Sequence, residues 1–378
     1  MSTQRQGWCG DVLTYPMHGQ RKLLTEGYRT RDGHVIEWIG TLTPGGASVV
    51  SRPDPVLAPP VRRHGQPGAV GTRAVRSRAP LLPDPRGRRR WWVASAQWYP
   101  KIPSDNSSTP ALVWNPFLAL TQDRRNPFRG GRTTVLDLLD DWTTHHAFAT
   151  IRDDVHRAYR AAFDAATRVT ANGEGAAELA RRHGRDDVVL LPNGCDPERF
   201  DPTPRDLRGA TRVGYVGKIG RRLDLDGIIS TAAALPEVEF IFAGPVLDRN
   251  YRAPLAEQPN IRLLGDVHYD QVPALLRTFD VGWVPHLVGR GEVGGDVIKT
   301  YEYRAAGLPV LTTAIAGAGR RGLDGVTTVP MSRHHEVLAD WTEEGPRVAR
   351  VAPAIPERVT WQHKTRIMLE LLGVQCAS

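Results

Sequence analysis

The stretch Gly294-Gly295-Asp296-Val297-Ile298-Lys299-Thr300-Tyr301-Glu302-Tyr303-Arg304-Ala305-Ala306-Gly307-Leu308-Pro309-Val310 holds more chemistry than any other part of this sequence. A glycine pair leads into a helical pattern over residues 299–306, and an apolar strand over 309–312 follows. Glycines ahead of a helix expose backbone N–H groups, and the positive end of a helix favours a diphosphate or a sugar hydroxyl. Glu302 falls within that helix, where a carboxylate can accept both hydroxyls of a ribose. The plain alternative makes Glu302 a surface residue and Ala305-Ala306-Gly307 a helix end with a glycine cap.

Working outward, strands are expected at 212–216, 238–242, 261–264 and 281–284, with helices at 226–235 and 272–279 between them. The first half shows a similar rhythm. A strand at 11–15, a loop through His18 and Gly19, a helix at 20–24 and a strand at 34–39 give a β-α-β opening. Apolar runs at 91–96, 111–114 and 134–139 read as buried parallel strands, followed by helices at 153–166 and 173–182 and a strand at 188–191. Pro53, Pro55, Pro59 and Pro60 break any periodicity between 43 and 90, where long loops are expected. A helix at 361–372 closes the chain. Two β/α sets in 378 residues predict an α/β protein of two Rossmann-like domains facing a cleft, 1–203 and 204–378, with the last helix packing back toward the first.

Four segments in order, 191–200, 213–222, 264–269 and 294–310, resemble the donor half of retaining GT-B glycosyltransferases of family 4. His18-Gly19-Gln20-Arg21-Lys22 and the run 136–142 more narrowly resemble teichuronic-acid-type glycosyltransferases. The resemblance implies transfer of a sugar from a nucleotide-diphosphate sugar, with retention and without a metal or other cofactor. It implies that Glu302 holds the donor ribose and that the loop from Gly217 through Gly220, Arg221 and Arg222 lies against the diphosphate. Gly244, Pro245, Val267, His268, Gly294, Gly295 and Asp296 are implied around the donor. Arg221, Lys299 and Asp140 are the candidates for the reacting centre: the two cations offset charge gathering on a leaving phosphate, and Asp140, at the end of a strand, can bind sugar or acceptor hydroxyls. The family commonly places a second glutamate eight positions before Glu302, where this chain has Gly294, and Asp296 is the nearby carboxylate that could face the sugar instead.

An acceptor is expected in the first half, at the ends of its strands, near His18, Gly19, Arg21, Asp141 and His145. It is a small molecule, a glycan or a lipid-linked compound. Asp224-Leu225-Asp226 resembles a metal-binding carboxylate pair, but Asp at a helix start is a favoured cap. A net charge of +8 allows an anionic membrane surface or a diphosphate substrate; no zinc-finger or RNA-binding signature turns it toward nucleic acid. Arg88-Arg89-Arg90 beside Trp91-Trp92 reads either as a solvated strand entry or as a phosphate or membrane contact. Three scattered cysteines and no long apolar run place the protein in the cytoplasm, with peripheral membrane contact left open. Neither a G-x-S-x-G elbow nor a P-loop is present. Two other readings remain: a GT-B-like coupling enzyme or nucleotide-sugar epimerase, and a non-catalytic nucleotide-sugar-binding protein.

Overall fold

The computed structural model describes residues 10–57, 68–80, 89–204, 208–289, 295–315, 324–343, 348–350 and 354–377. Two compact units are present. The first takes in Met1–Pro192, Val293–Gly295 and Trp361–Ser378; the second takes in Asn193–Glu292 and Asp296–Thr360. The chain therefore changes unit at 192/193, ahead of the expected boundary near 203.

In the first unit the strands are β1 (Val12–Tyr15), β2 (Ala47–Val50), β3 (Asp54–Pro55), β4 (Thr72–Val75), β5 (Arg78–Ala79), β6 (Ala111–Val113), β7 (Thr134–Leu138), β8 (Arg168–Ala171) and β9 (Val189–Leu190). The main sheet runs β4-β2-β1-β6-β7-β8-β9, all parallel, and β3 pairs with β5. Its helices are α1 (Gln20–Glu26), α2 (Arg31–Leu42), α3 (Arg90–Ala96), α4 (Arg152–Ala165) and α5 (Glu174–Arg182). The second unit holds β10 (Arg212–Val216), α6 (Leu225–Ala234), β11 (Glu239–Ala243), α7 (Arg249–Ala256), β12 (Ile261–Gly265), α8 (Val272–Leu276), β13 (Val281–Val284), α9 (Ile298–Ala305), β14 (Val310–Thr312), β15 (Val326–Thr328) and α10 (His334–Thr342). Its parallel sheet runs β12-β11-β10-β13-β14-β15. The closing helix, α11 (Trp361–Leu372), lies against α2 in the first unit.

Three expectations are corrected. Residues 34–39 form part of helix α2, and its buried Val35, Ile36, Ile39 and Leu42 recur at helical spacing. Residues 91–96 belong to helix α3 rather than a strand, with Trp91, Trp92, Ser95 and Ala96 buried. The region 43–90 is not loop throughout: β2 and β4 lie within it, and β2 is buried along its whole length. Short apolar runs do not distinguish a buried strand from a buried helix.

Buried arginine chemistry joins the elements of the first unit. Asp137 on β7 is buried and accepts from Arg31 Nε (2.7 Å) and Nη2 (3.1 Å) on α2, from Trp114 Nε1 (2.6 Å) and from Thr170 Oγ1 (2.6 Å) on β8. Four bonds distribute the charge of a carboxylate that would otherwise be costly to bury. The Arg31 guanidinium lies 5.9 Å from the Trp361 ring centroid, and His34 stacks on the same indole at 5.0 Å, so α11 covers the polar end of α2.

In the second unit the sheet is packed on both faces. Val213, Tyr215, Phe240, Phe242 and Trp283 fill one face, and Ile241, Phe279, Val284 and Tyr303 the other. On that second face, Gly214 of β10 pairs in register with Gly282 of β13. A Cβ on Gly214 would overlap the Phe279 ring, and one on Gly282 the Tyr303 ring. This bare floor lets α9 settle onto the sheet through Tyr303, whose hydroxyl accepts the N–H of Val216 at 2.7 Å.

Candidate functional site

Tyr303 is the anchor that aims its neighbours. With its hydroxyl fixed at the C-terminal end of β10, the preceding residue Glu302 and Lys299 one turn earlier are held at the same strand end. The strand leads into Gly217 (φ 151°), and β11 leads into Gly244 (φ 146°), both in backbone conformations that favour glycine. A Cβ on Gly244 would overlap Gly217 O, so the two turns are in backbone contact. Their own N–H groups are engaged: Gly217 N donates to Ala243 O (2.8 Å) and Gly244 N to Gly265 O (2.6 Å). These glycines therefore shape the loop rather than present donors. Pro245 extends the contact by accepting from Ile219 N at 3.0 Å.

Glu302 is buried, and its Oε1 accepts from Tyr269 Oη at 2.7 Å. Burial lifts the carboxyl to about 7 against the opposing pull of the Tyr269 hydrogen bond and of Lys299, while Asp196 adds to the rise. Lys299 runs beside Gly217, its Nζ 5.1 Å from the Tyr215 ring centroid. Burial and the charge of Arg222 bring its ammonium down to about 8, with Glu302 opposing. His286, just past β13, is buried and feels burial first, then Lys299 and Arg222, all of which hold its ring neutral. Its Nε2 is buried and has no hydrogen-bond partner among the described residues. The sequence reading missed His286, yet its position signals it: it follows the buried strand Val281–Val284 at the C-terminal edge, where open α/β sheets bind ligands.

Several other expected donor-site residues make local contacts in this unit. Asp296 Oδ2 accepts from Asn193 N (2.9 Å) and Tyr301 Oη (2.6 Å), and Asn193 Nδ2 donates to Asp296 O (3.0 Å). The Arg221 side chain is 67% exposed and turned to Asp248 at 3.3 Å, whose other oxygen accepts the Arg221 N–H at 3.0 Å. Gly220 leaves room for that same carboxylate. Arg222 is exposed, and its field reaches Lys299 and His286. His268 caps the single turn 269–271 by accepting the Asp270 N–H, and Val267 lies just before it, so this pair positions Tyr269 for Glu302. Asp224 caps α6, accepting from Gly227 N at 3.0 Å. Among the described residues, no group of three His, Cys, Asp or Glu could hold a metal ion. Gly294 lies outside the described residues, and Gly295 is counted with the first unit, against Leu139 and Asp140.

Residues 210–340 match the model of the family described as Glycosyl transferases group 1. The matched segment runs from β10 into α10 and therefore includes Gly217, Gly244, His286, Lys299 and Glu302. TuaH of Bacillus subtilis (strain 168), which carries the name of a teichuronic acid biosynthesis glycosyltransferase, is 26% identical over 147 residues, which are 36% of this chain. The match spans 37% of that protein, little more than a third of the length of the curated relative. The Anabaena protein HepE (Alr3699), solved with UDP and glucose, superposes with a TM-score of 0.64 at 15% identity over 96% of this chain and 99% of its own. Sucrose-phosphate synthase from Thermosynechococcus elongatus gives 0.61 at 15% identity, covering 96% and 94%. The fold is that of the GT-B glycosyltransferases, with a parallel α/β sheet in each of two units.

The group 1 segment does not reach the residues expected to meet an acceptor, so they are placed by geometry alone. His18 is buried, its N–H donating to Asp32 Oδ2 at 3.4 Å and its Nδ1 3.8 Å from the same oxygen. Burial would raise the Asp32 carboxyl, but hydrogen bonds and charge from His18, with Thr30, hold it at about 2. Gly19 starts α1, and Gln20 N donates to Ser51 Oγ (2.8 Å), tying the loops after β1 and β2 together. Arg21 Nε is 3.9 Å from Asp54. Asp141 is engaged by the N–H and hydroxyl of Thr143 and by Arg182 at 2.8 Å, which gives it a local bracing job. His145 caps the turn 146–151 by accepting the Ala147 N–H at 3.0 Å. Asp140 follows β7, and its carbonyl accepts from Tyr159 Oη at 3.2 Å. Among the described residues, no helix is long and apolar enough to cross a membrane.

Proposed function

We propose that this chain is a glycosyltransferase that takes a sugar from a nucleotide-diphosphate donor held by the second unit, with retention at the anomeric carbon and without a metal. The observation that carries this reading is the pair Glu302 and Lys299, fixed by Tyr269 and Tyr303 beside the Gly217–Gly244 contact inside the group 1 segment. Glu302, once ionised, accepts the two ribose hydroxyls. Lys299 and Arg222 face the diphosphate and offset the charge that builds there as the bond from the anomeric carbon to the phosphate oxygen breaks. A diphosphate beside Lys299 raises its pKa, so the ammonium stays charged in the complex. The leaving phosphate oxygen takes the acceptor proton. Asp140 and the buried His18 lie in the loops that follow β7 and β1 of the first unit, and the acceptor binds beside them in this reading. This chemistry uses dissolved nucleotide-sugar, which agrees with a cytoplasmic location.

The UDP and glucose carried by the Anabaena protein make UDP the first nucleotide to try. Titration of wild type with UDP, GDP, ADP and dTDP should find one that binds, and Glu302→Ala should weaken it about 10–100-fold, equivalent to roughly 1.5–3 kcal/mol for hydrogen bonds to a charged group. NMR of the product should show the donor's anomeric configuration kept, and turnover should persist in EDTA. If none of the four nucleotides binds, or Glu302→Ala binds as wild type does, the donor reading fails. An inverted product or EDTA inhibition would overturn the finer claims only.

A further inference from the structure

Two arginines of the first unit carry charge that the donor reading does not use. Arg52 follows the C-terminal end of β2, and Arg89 immediately precedes α3. Both guanidinium carbons lie 4.5 Å from the ring centroid of the buried Trp92, and that of Arg89 is also 4.5 Å from the Phe148 ring. The aromatic support is packed: Phe148 meets Trp92 edge-on at 5.6 Å and stacks on Trp142 at 4.6 Å. Among the described residues neither guanidinium has a hydrogen bond or close ion pair to a carboxylate, and Arg52 Nη1 is buried with no partner. The fields that reach them come from further away: Asp54 and Tyr99 act on Arg52, and Asp140 on Arg89. Burial, then the charge of Arg52, lowers Arg89 to about 10.

An aromatic face compensates a cation's lost hydration in part, but it supplies no acceptor for the N–H groups at the rim of the guanidinium. Two such groups near one ring match a compact dianion with several oxygens, which is a phosphate or diphosphate; a single carboxylate would leave one charge unmatched. They also lie at the edge where parallel sheets bind ligands, beside the β1–β2 loop link through Ser51. We infer that Arg52 and Arg89, held over Trp92, bind the phosphate or diphosphate group of a phosphorylated acceptor. Calling that ligand the acceptor rests on the glycosyltransferase reading; the anion site does not.

The test titrates the full chain with pyrophosphate while the donor site is filled by the nucleoside diphosphate identified above. One equivalent should bind, and Arg52→Gln/Arg89→Gln should weaken it at least about tenfold while nucleotide affinity stays within twofold. Arg89→Gln alone serves if the double variant melts, with circular dichroism as the check. Pyrophosphate binding that is absent, or equal in the variants, overturns the site. If no nucleotide binds yet pyrophosphate still depends on the two arginines, the donor reading falls and the anion site stands. Competition then identifies the source: displacement by glucose 1-phosphate points to a soluble sugar phosphate, and displacement by phosphatidylcholine vesicles carrying a polyprenyl phosphate points to a lipid. Displacement by neither overturns the assignment to an acceptor.

Discussion

Glu302 and Lys299 lie three residues apart on one helix and are driven toward each other in pKa, the carboxyl up to about 7 and the ammonium down to about 8. A protonated carboxyl cannot accept both ribose hydroxyls, so nucleoside diphosphate affinity should fall about tenfold per pH unit below 7. Calorimetry from pH 5.5 to 8 measures this, and a flat profile would remove Glu302 from the ribose. The same shift affects stability. A carboxyl raised in the folded state favours folding below its unfolded value of 4.5, and that contribution is lost as pH rises through about 7. Glu302→Gln, which retains an acceptor for Tyr269, should therefore unfold at higher denaturant than wild type at pH 8 and lose that advantage near pH 4. Equal midpoints at pH 8 would contradict it. Both charged residues were legible in the sequence because they share one helix. Tyr269 and His286 were not, because strand order rather than spacing brings them beside Glu302 and Lys299.

At the scale of elements, close backbone approach and one buried ion pair set the arrangement. Gly244→Ala must part the turns after β10 and β11 and adopt a φ of 146°, so a loss of about 1–3 kcal/mol or more and failure to bind nucleotide are expected. A wild-type melt with wild-type binding would refute the contact. Asp137→Ala leaves Arg31 charged and buried while freeing Trp114 and Thr170, which should cost about 3–5 kcal/mol in urea unfolding followed by near-ultraviolet circular dichroism. A change under 1 kcal/mol would show that the network is dispensable. Strands β10 to β14 of the second unit were readable because each is a short apolar run with a turn at both ends; β15, Val-Thr-Thr with no buried residue, was not. Helix α2 was not, because packing partners on more than one side remove the polar stripe by which a helix is recognised, and His34-Val35-Ile36 then resembles a strand. The span containing β2 and β4 was masked by prolines that lie between the strands rather than within them.

At the scale of the whole molecule, the first unit is not built from one continuous stretch of chain, since α11 returns to it after the second unit is complete. Trp361, Met368, Leu369 and Leu372 are each no more than 2% exposed. At about 1.5–3 kcal/mol per large apolar side chain their burial contributes on the order of 6–12 kcal/mol, comparable with the net stability of a domain. A chain ending at Thr360 should lose cooperative unfolding of the first unit while the second still binds nucleotide, which hydrogen exchange would resolve segment by segment. Protection of α2 and β7 unchanged by the truncation would contradict this. The same connectivity imposes an order on biosynthesis. Helix α2 leaves the ribosome long before the helix that covers it; at ~5–20 residues per second the interval is on the order of tens of seconds. Through that time the nascent chain carries an unfinished apolar face on α2, which makes the first unit's opening run, Met1–Pro192, the natural client of a ribosome-associated chaperone.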